Sequence, residues 1–92
     1  MYVDVFVAGM GKWYEFKCEE REKIKDIIEQ IYFMIINLEN IKSSSLEKSS
    51  SGLSSIKASD LYLACIDSKV ILSKDARLEE CMVENGNKLI LF

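Results

Sequence analysis

One stretch of the sequence limits the possible folds more than any other: between residues 19 and 38, isoleucine and leucine recur at steps of three and four. The stripe consists of Ile24, Ile27, Ile28, Ile31, Ile35 and Leu38. This spacing predicts an amphipathic helix with one buried face, because residues three and four apart lie on the same side of a helix. Glu19, Glu20 and Glu22 stand before it, and carboxylates favour the positive end of the helix dipole, so we expect the helix to begin at Glu19. A helix that binds a partner would show the same stripe, but the neighbouring strands favour a place in the core.

Two segments before the stripe, residues 2–7 and 13–18, are rich in β-branched and aromatic residues and have the period of two that strands show. Residues 9–12 between them contain two glycines, which predicts a turn and therefore a β-hairpin. The alternation places one set of side chains on the face toward the helix: Val3, Val5, Val7, Tyr14, Phe16 and Cys18. The other face receives Tyr2, Asp4, Phe6, Trp13, Glu15 and Lys17.

The second half of the chain predicts three more strands and a short helical turn. Residues 61–66 and 70–72 read as strands joined by a turn at 67–69, residues 78–82 as the helical turn, and residues 88–92 as the last strand. Asn85-Gly86 is a strong turn signal before that strand. The fold class is therefore α+β, in the order β-β-α-β-β-β, with a mixed sheet on one main helix and the first and last strands paired in parallel.

A serine-rich segment separates the two halves. Residues 43–55 read SSSLEKSSSGLSS, a composition typical of flexible connections. We expect a flexible loop at about residues 43–58, with a phosphorylated regulatory tract as the alternative. The 92 residues otherwise suffice for a single domain.

Composition argues against several classes of function. The formal net charge is −3 and no dense Lys/Arg run exists, so nucleic-acid binding is not expected. The chain has three cysteines, no histidine and no CxxC, so we expect no metal, no cofactor and no catalytic pair; Cys18, Cys65 and Cys81 read as reduced and mostly buried.

No membrane insertion is expected either. The longest apolar run, residues 31–36, is far shorter than the roughly 20 residues that span a bilayer, and Asp4 interrupts the segment where a signal peptide would be apolar. We expect a cytoplasmic chain, or one that forms part of something larger.

Two sequence segments carry a resemblance to a known family: Met1-Tyr-Val-Asp-Val and Leu78-x-x-Cys81-x-Val83-x-Asn85-Gly86-x-x-Leu89-x-Leu91. With the element order, they are similar to the β-grasp fold of ubiquitin. More closely, they resemble the small ubiquitin-like proteins of the YukD/EsaB type, which are associated with bacterial type VII secretion of WXG-type proteins. The resemblance implies one ubiquitin-like domain over residues 1–92, in which Leu78, Val83, Leu89 and Leu91 close the core. The serine-rich segment looks longer than the corresponding connection in that family.

The resemblance implies a non-catalytic accessory or adaptor protein that binds a membrane component or the FtsK-type ATPase of the secretion machine, at the inner face of the membrane. The alternative is a ubiquitin-like interaction domain of a larger membrane or signalling protein. Conjugation and sulfur-carrier proteins of this fold act through a C-terminal Gly-Gly, whereas this sequence stops at Phe92; a carrier role would need Gly-Gly beyond it.

The open face of the predicted sheet is the candidate protein-binding face: Tyr2, Phe6, Trp13, Ile90 and Phe92, with Tyr62 and Ile66 as further members. Exposed apolar area of this kind usually marks an interface, with a protein partner or with a second copy in a homodimer. Two other interpretations are open: the alternation is misread by one residue, or Trp13 folds over its own hairpin. Ala64 stands where ubiquitin carries the isoleucine that most of its partners grip, so receptors of the ubiquitin type are not implied.

Overall fold

The computed structural model describes residues 1–39 and 57–92, so most of the predicted serine-rich loop lies outside the described residues. The described chain contains one helix, α1 (Ile24–Glu39), and five strands. The strands are β1 (Tyr2–Val7), β2 (Lys12–Lys17), β3 (Leu63–Cys65), β4 (Val70–Ile71) and β5 (Lys88–Leu91). The α+β order predicted from the sequence is confirmed.

The strands form one sheet in the order β2-β1-β5-β3-β4. The pair β1–β5 is parallel, and the other three neighbouring pairs are antiparallel. The central strands β1 and β5 therefore come from opposite ends of the sequence, as the predicted crossover requires. The hairpin β1–β2 occupies one side of the sheet and the hairpin β3–β4 the other.

The core lies between α1 and one face of the sheet. The isoleucine stripe is buried from Ile24 to Ile35, and the strands contribute alternate residues against it. Burying each such side chain stabilises the fold by roughly 1.5–3 kcal/mol. The four residues expected to close the core are all buried: Leu78, Val83, Leu89 and Leu91.

The prediction that the helix begins at Glu19 is wrong, since α1 starts at Ile24. Its first backbone N–H groups are satisfied by a distant segment: Ile24 donates to the carbonyl of Ala76 (2.9 Å) and Lys25 to that of Lys74 (3.1 Å). The carboxylate of Glu22 accepts a hydrogen bond from the backbone N–H of Glu19 (3.1 Å), which holds a local turn ahead of the helix. A long-range contact therefore determines where the helix begins.

The other end of the stripe also differs from expectation. Leu38 lies on the stripe by periodicity but is 64% exposed. Within the described ranges, no helix is long and apolar enough to cross a membrane.

Several strands are shorter than predicted. Strand β3 begins only at Leu63 because residues 58–60 form a 3-10 turn that ends against Leu61. Tyr62 and Phe92 nevertheless extend the pairing beyond the strands, since the N–H of each donates to the carbonyl of the other (2.6 and 2.9 Å). Of the two glycines in the first hairpin turn, only Gly11 has a positive φ (68°).

The helical turn before β5 is a 3-10 turn over Leu78–Cys81, which ends at Met82 in the left-handed conformation. Asn85 and Gly86 then attach this segment to the start of β1. The side-chain Oδ1 of Asn85 accepts a hydrogen bond from the N–H of Tyr2 (2.7 Å), and the N–H of Gly86 donates to the carbonyl of Tyr2 (2.8 Å).

Candidate protein-binding face

The sheet face opposite α1 carries a continuous apolar row that crosses all five strands. Direct pairing joins Trp13 to Phe6, Phe6 to Ile90, Ile90 to Ala64 and Ala64 to Ile71. Directly paired residues point to the same face, so we call these five residues the outer row. Its length is about 19 Å, because neighbouring strands lie about 4.8 Å apart.

A second, shorter apolar row lies beside the first, one pleat further along β5. It consists of Tyr62 and Phe92, whose rings stack with centroids 6.0 Å apart. The Nζ of Lys74 lies 4.2 Å from the centroid of the Tyr62 ring and donates a hydrogen bond to the carbonyl of Ser59 (2.7 Å). This contact holds a cation at the border of the apolar surface and orients Tyr62.

On the other side of the outer row, the next positions along the strands are charged. Glu15 pairs with Asp4, and Asp4 pairs with Lys88; we call these three residues the charged row. Ile66 continues it on the far side, since its N–H donates to the carbonyl of Lys88 (2.8 Å). The outer face is therefore amphipathic, with two apolar rows bordered by one charged row.

The structure brings together most of the residues predicted for this face. Phe6, Trp13 and Ile90 lie in the outer row, and Phe92 lies in the adjacent row. Tyr2 is set apart: it stands four residues before Phe6 on β1, about 13 Å away along the strand, with the charged row between them. Its ring instead lies 6.0 Å from the Nζ of Lys17.

Trp13 combines two of the interpretations that the sequence left open: it folds over its own hairpin, and it also belongs to the exposed apolar face. Its ring packs against Phe6, with ring centroids 5.2 Å apart and planes at 52°, so it does fold onto its own hairpin. It nevertheless stays 52% exposed and offers a large apolar surface. The third interpretation, a shift by one residue, is wrong, because Val3, Val5 and Val7 are the buried set.

Two residues of this surface were missed from the sequence. Ile71 is 62% exposed and extends the outer row to the sheet edge; the pattern of residues 70–72 is too short for its alternation to assign a face. Lys74 reaches Tyr62 from the segment before the second 3-10 turn, a long-range contact that leaves no local signal. Ala64 is the smallest member of the outer row and stands between Ile90 and Ile71.

Two of the three cysteine thiols are harder to ionise in the folded chain than a free thiol. Burial raises the pKa of the Cys18 thiol; the Met1 ammonium lowers it by less, and Glu22 and Glu19 raise it further. Burial, followed by the charge of Glu80, raises the pKa of the Cys81 thiol. Both thiols therefore resist forming the thiolate that nucleophilic chemistry requires. Within residues 1–39 and 57–92, no three potential ligand side chains are grouped so as to hold a metal ion.

Comparison with known proteins connects this architecture to a fold. No protein-family model matches the chain, and no curated protein sequence matches it. The N-terminal ubiquitin-like domain of the 4931431F19Rik protein is similar in structure, with a TM-score of 0.68, 15% sequence identity and coverage of 100% of this chain and 72% of that one. A ubiquitin-like domain of the Arabidopsis thaliana protein At2g32350 has a TM-score of 0.66, again at 15% identity, and the match covers 100% of this chain and 74% of that one. The chain therefore has the ubiquitin-like β-grasp fold, with a mixed five-stranded sheet on one main helix.

Proposed function

We propose that this chain is a non-catalytic ubiquitin-like adaptor of a type VII-like secretion system, which acts by binding another protein through its outer sheet face. Its partner would be a membrane component of the machine or the FtsK-type ATPase that moves WXG-type substrates. Binding of this kind would keep the chain in the cytoplasm, at the inner face of the membrane.

The outer row is the observation that carries the proposal. Its five residues form an apolar line across the whole sheet. The residues at its two ends, Trp13 and Ile71, are more than half exposed. Scattered apolar residues are normal on a protein surface, whereas a contiguous group with a tryptophan is typical of an interface.

The choice of a secretion machine depends on the sequence resemblance to YukD/EsaB-type proteins. The segments that carry it, at the start of β1 and from Leu78 to Leu91, form the central strands and the turn that closes the core.

A second candidate is a ubiquitin-like interaction domain within a larger membrane or signalling protein. The two solved structures above favour it, because each is described as a ubiquitin-like domain of a named protein. The outer face would serve the same purpose there, with a different partner.

Co-purification from the host organism tests the proposal. A tagged chain is expected to bring down an FtsK-type ATPase or a membrane component of a WXG-type secretion machine, and deletion of the gene is expected to reduce secretion of a WXG-type protein. Recovery of the chain as part of a longer polypeptide would support the second candidate. An adenylated C-terminal glycine in the host protein would instead support a carrier function.

Matched variants connect the binding to the face. Trp13→Ser is expected to abolish co-purification, while Phe33→Ser on the helix is expected to leave it unchanged; the two side chains are 52% and 53% exposed. Circular dichroism of both variants checks that the fold is intact. Equal binding by wild type and Trp13→Ser would contradict docking through the outer face.

A further inference from the structure

The apolar part of the outer face is long and narrow. The outer row runs about 19 Å across the strands, and the Tyr62–Phe92 row widens it by one pleat, or about 7 Å. An α-helix has a diameter of about 10–12 Å and a rise of about 1.5 Å per residue. A helix of about 13 residues, lying across the strands, would therefore cover the outer row from Trp13 to Ile71.

A second sheet fits this surface less well, and so does a second copy of the chain docked face to face. Sheets pack over broad two-dimensional faces, and such packing would cover the charged row together with the outer row. Removing Glu15, Asp4 and Lys88 from water costs free energy unless each finds a partner. A helix along the outer row would leave the charged row at its flank, in contact with water.

Positive and negative charges are not evenly distributed along the charged row. Glu15 and Asp4 are direct cross-strand partners, and like charges in such positions destabilise a sheet. Within the charged row, Lys88 is a direct partner of Asp4 and not of Glu15. The two carboxylates therefore lie beside Trp13 and Phe6, at one end of the outer row, whereas Lys17 on the same face lies one pleat further from that row, opposite Tyr2. Local conflicts of this kind are expected at functional sites.

We propose that the outer face takes an amphipathic α-helix of a partner protein, laid along the outer row, with a lysine or arginine on the flank that lies over Glu15 and Asp4. Its apolar residues, spaced three and four apart, pack on Trp13, Phe6, Ile90 and Ile71, and Ala64 makes room for one larger side chain. This inference rests on the proposed function, since it specifies the chemistry of the partner for the same face.

Selection from an unbiased peptide library tests the inference. Peptides of about 20 residues displayed on phage, without any imposed helical pattern, are selected on the full chain, and peptides that also bind Trp13→Ser are discarded. The remaining peptides are expected to carry apolar residues at helical spacing over about 13 positions, with Lys or Arg next to them, and to gain helicity on binding by circular dichroism.

Charge variants then test the role of the carboxylates, with the selected peptides as probes. Glu15→Gln and Asp4→Asn are each expected to weaken binding about 1.5- to fivefold at low salt, the usual range for an exposed ion pair. The loss should shrink in high salt, where exposed charges are screened. Glu29→Gln on α1 is the matched control and is expected to change nothing.

The outcomes separate the two proposals. Trp13-dependent peptides that bind in an extended form, lack basic residues, or ignore both charge variants would overturn the inference and leave the outer face as the binding surface. A library that yields no Trp13-dependent peptide would contradict both the inference and docking through this face.

Discussion

Phe6 and Trp13 are direct cross-strand partners on β1 and β2, with ring centroids 5.2 Å apart. The pair is placed at the end of the outer row, where it belongs both to the hairpin and to the candidate interface. Aromatic pairs of this geometry stabilise a sheet, and they also hold a large apolar surface rigid before a partner arrives. The same contact is therefore expected to contribute to folding and to binding.

A double-mutant cycle on this pair measures the folding contribution. Phe6→Leu and Trp13→Leu, alone and together, are expected to show a coupling free energy of about 0.5–1 kcal/mol, because the ring contact is lost in either single variant. Urea unfolding followed by far-ultraviolet circular dichroism gives the four stabilities. Strictly additive effects would mean that the rings do not interact in solution.

Truncation of the buried stripe is expected to be costly. Ile31 has 0% exposure, so Ile31→Ala should lower the free energy of unfolding by about 2–5 kcal/mol through lost burial and a cavity. Phe33→Ala, two residues along on the exposed side of α1, should change it by less than about 0.5 kcal/mol. Denaturant unfolding of both variants distinguishes core from surface, and similar losses would contradict the assigned orientation of the helix.

The two glycines at positions 86 and 9 make a matched test of backbone conformation. A Cβ added at either position meets nothing within 4 Å, but only Gly86 has a positive φ, of 90°. Gly86→Ala is therefore expected to lower the free energy of unfolding by about 1–2 kcal/mol, because L-residues avoid this region. Gly9→Ala should be close to neutral in the same thermal or urea unfolding experiment; a neutral Gly86→Ala would contradict the turn described above.

Stability should decrease at alkaline pH through Cys18. Its pKa is raised above the ordinary 9.0 in the folded chain, so the unfolded chain releases this proton first as the pH rises. The contribution to stability is therefore fully present below the unfolded pKa and is lost as the pH rises through the folded pKa. Urea unfolding between about pH 8 and about pH 10.5 should show a steeper decline for wild type than for Cys18→Val. Parallel curves would be inconsistent with a buried, protonated thiol.

The periodic parts of the sequence predicted the fold well. Val3, Val5 and Val7 alternate and are buried together, and the isoleucines of α1 repeat as a helix face and form the core. Such patterns indicate which face of a strand or helix is buried, from neighbouring residues alone. The Asn85-Gly86 signal likewise marked a turn, and the structure adds that the Asn85 side chain bonds to the start of β1.

The positions that sequence reasoning missed depend on contacts between distant residues. The helix begins at Ile24 because carbonyls of Lys74 and Ala76 accept its first hydrogen bonds, so no acidic cluster near Glu19 could reveal it. The membership of Ile71 in the outer row follows from its pairing with Ala64. Tyr2 lies on the same face as Phe6 but four residues earlier on β1, and the alternation predicted the shared face without the separation along it.

Because Val5 pairs with Leu89, this sheet cannot close on a ribosome until β5 has been synthesised and has left the exit tunnel. Until then the hairpin β1–β2 presents the unpaired inner edge of β1, and strand edges of this kind invite aggregation. The chain is therefore expected to be most prone to aggregation, or to need a chaperone, while β1 has been synthesised and β5 has not.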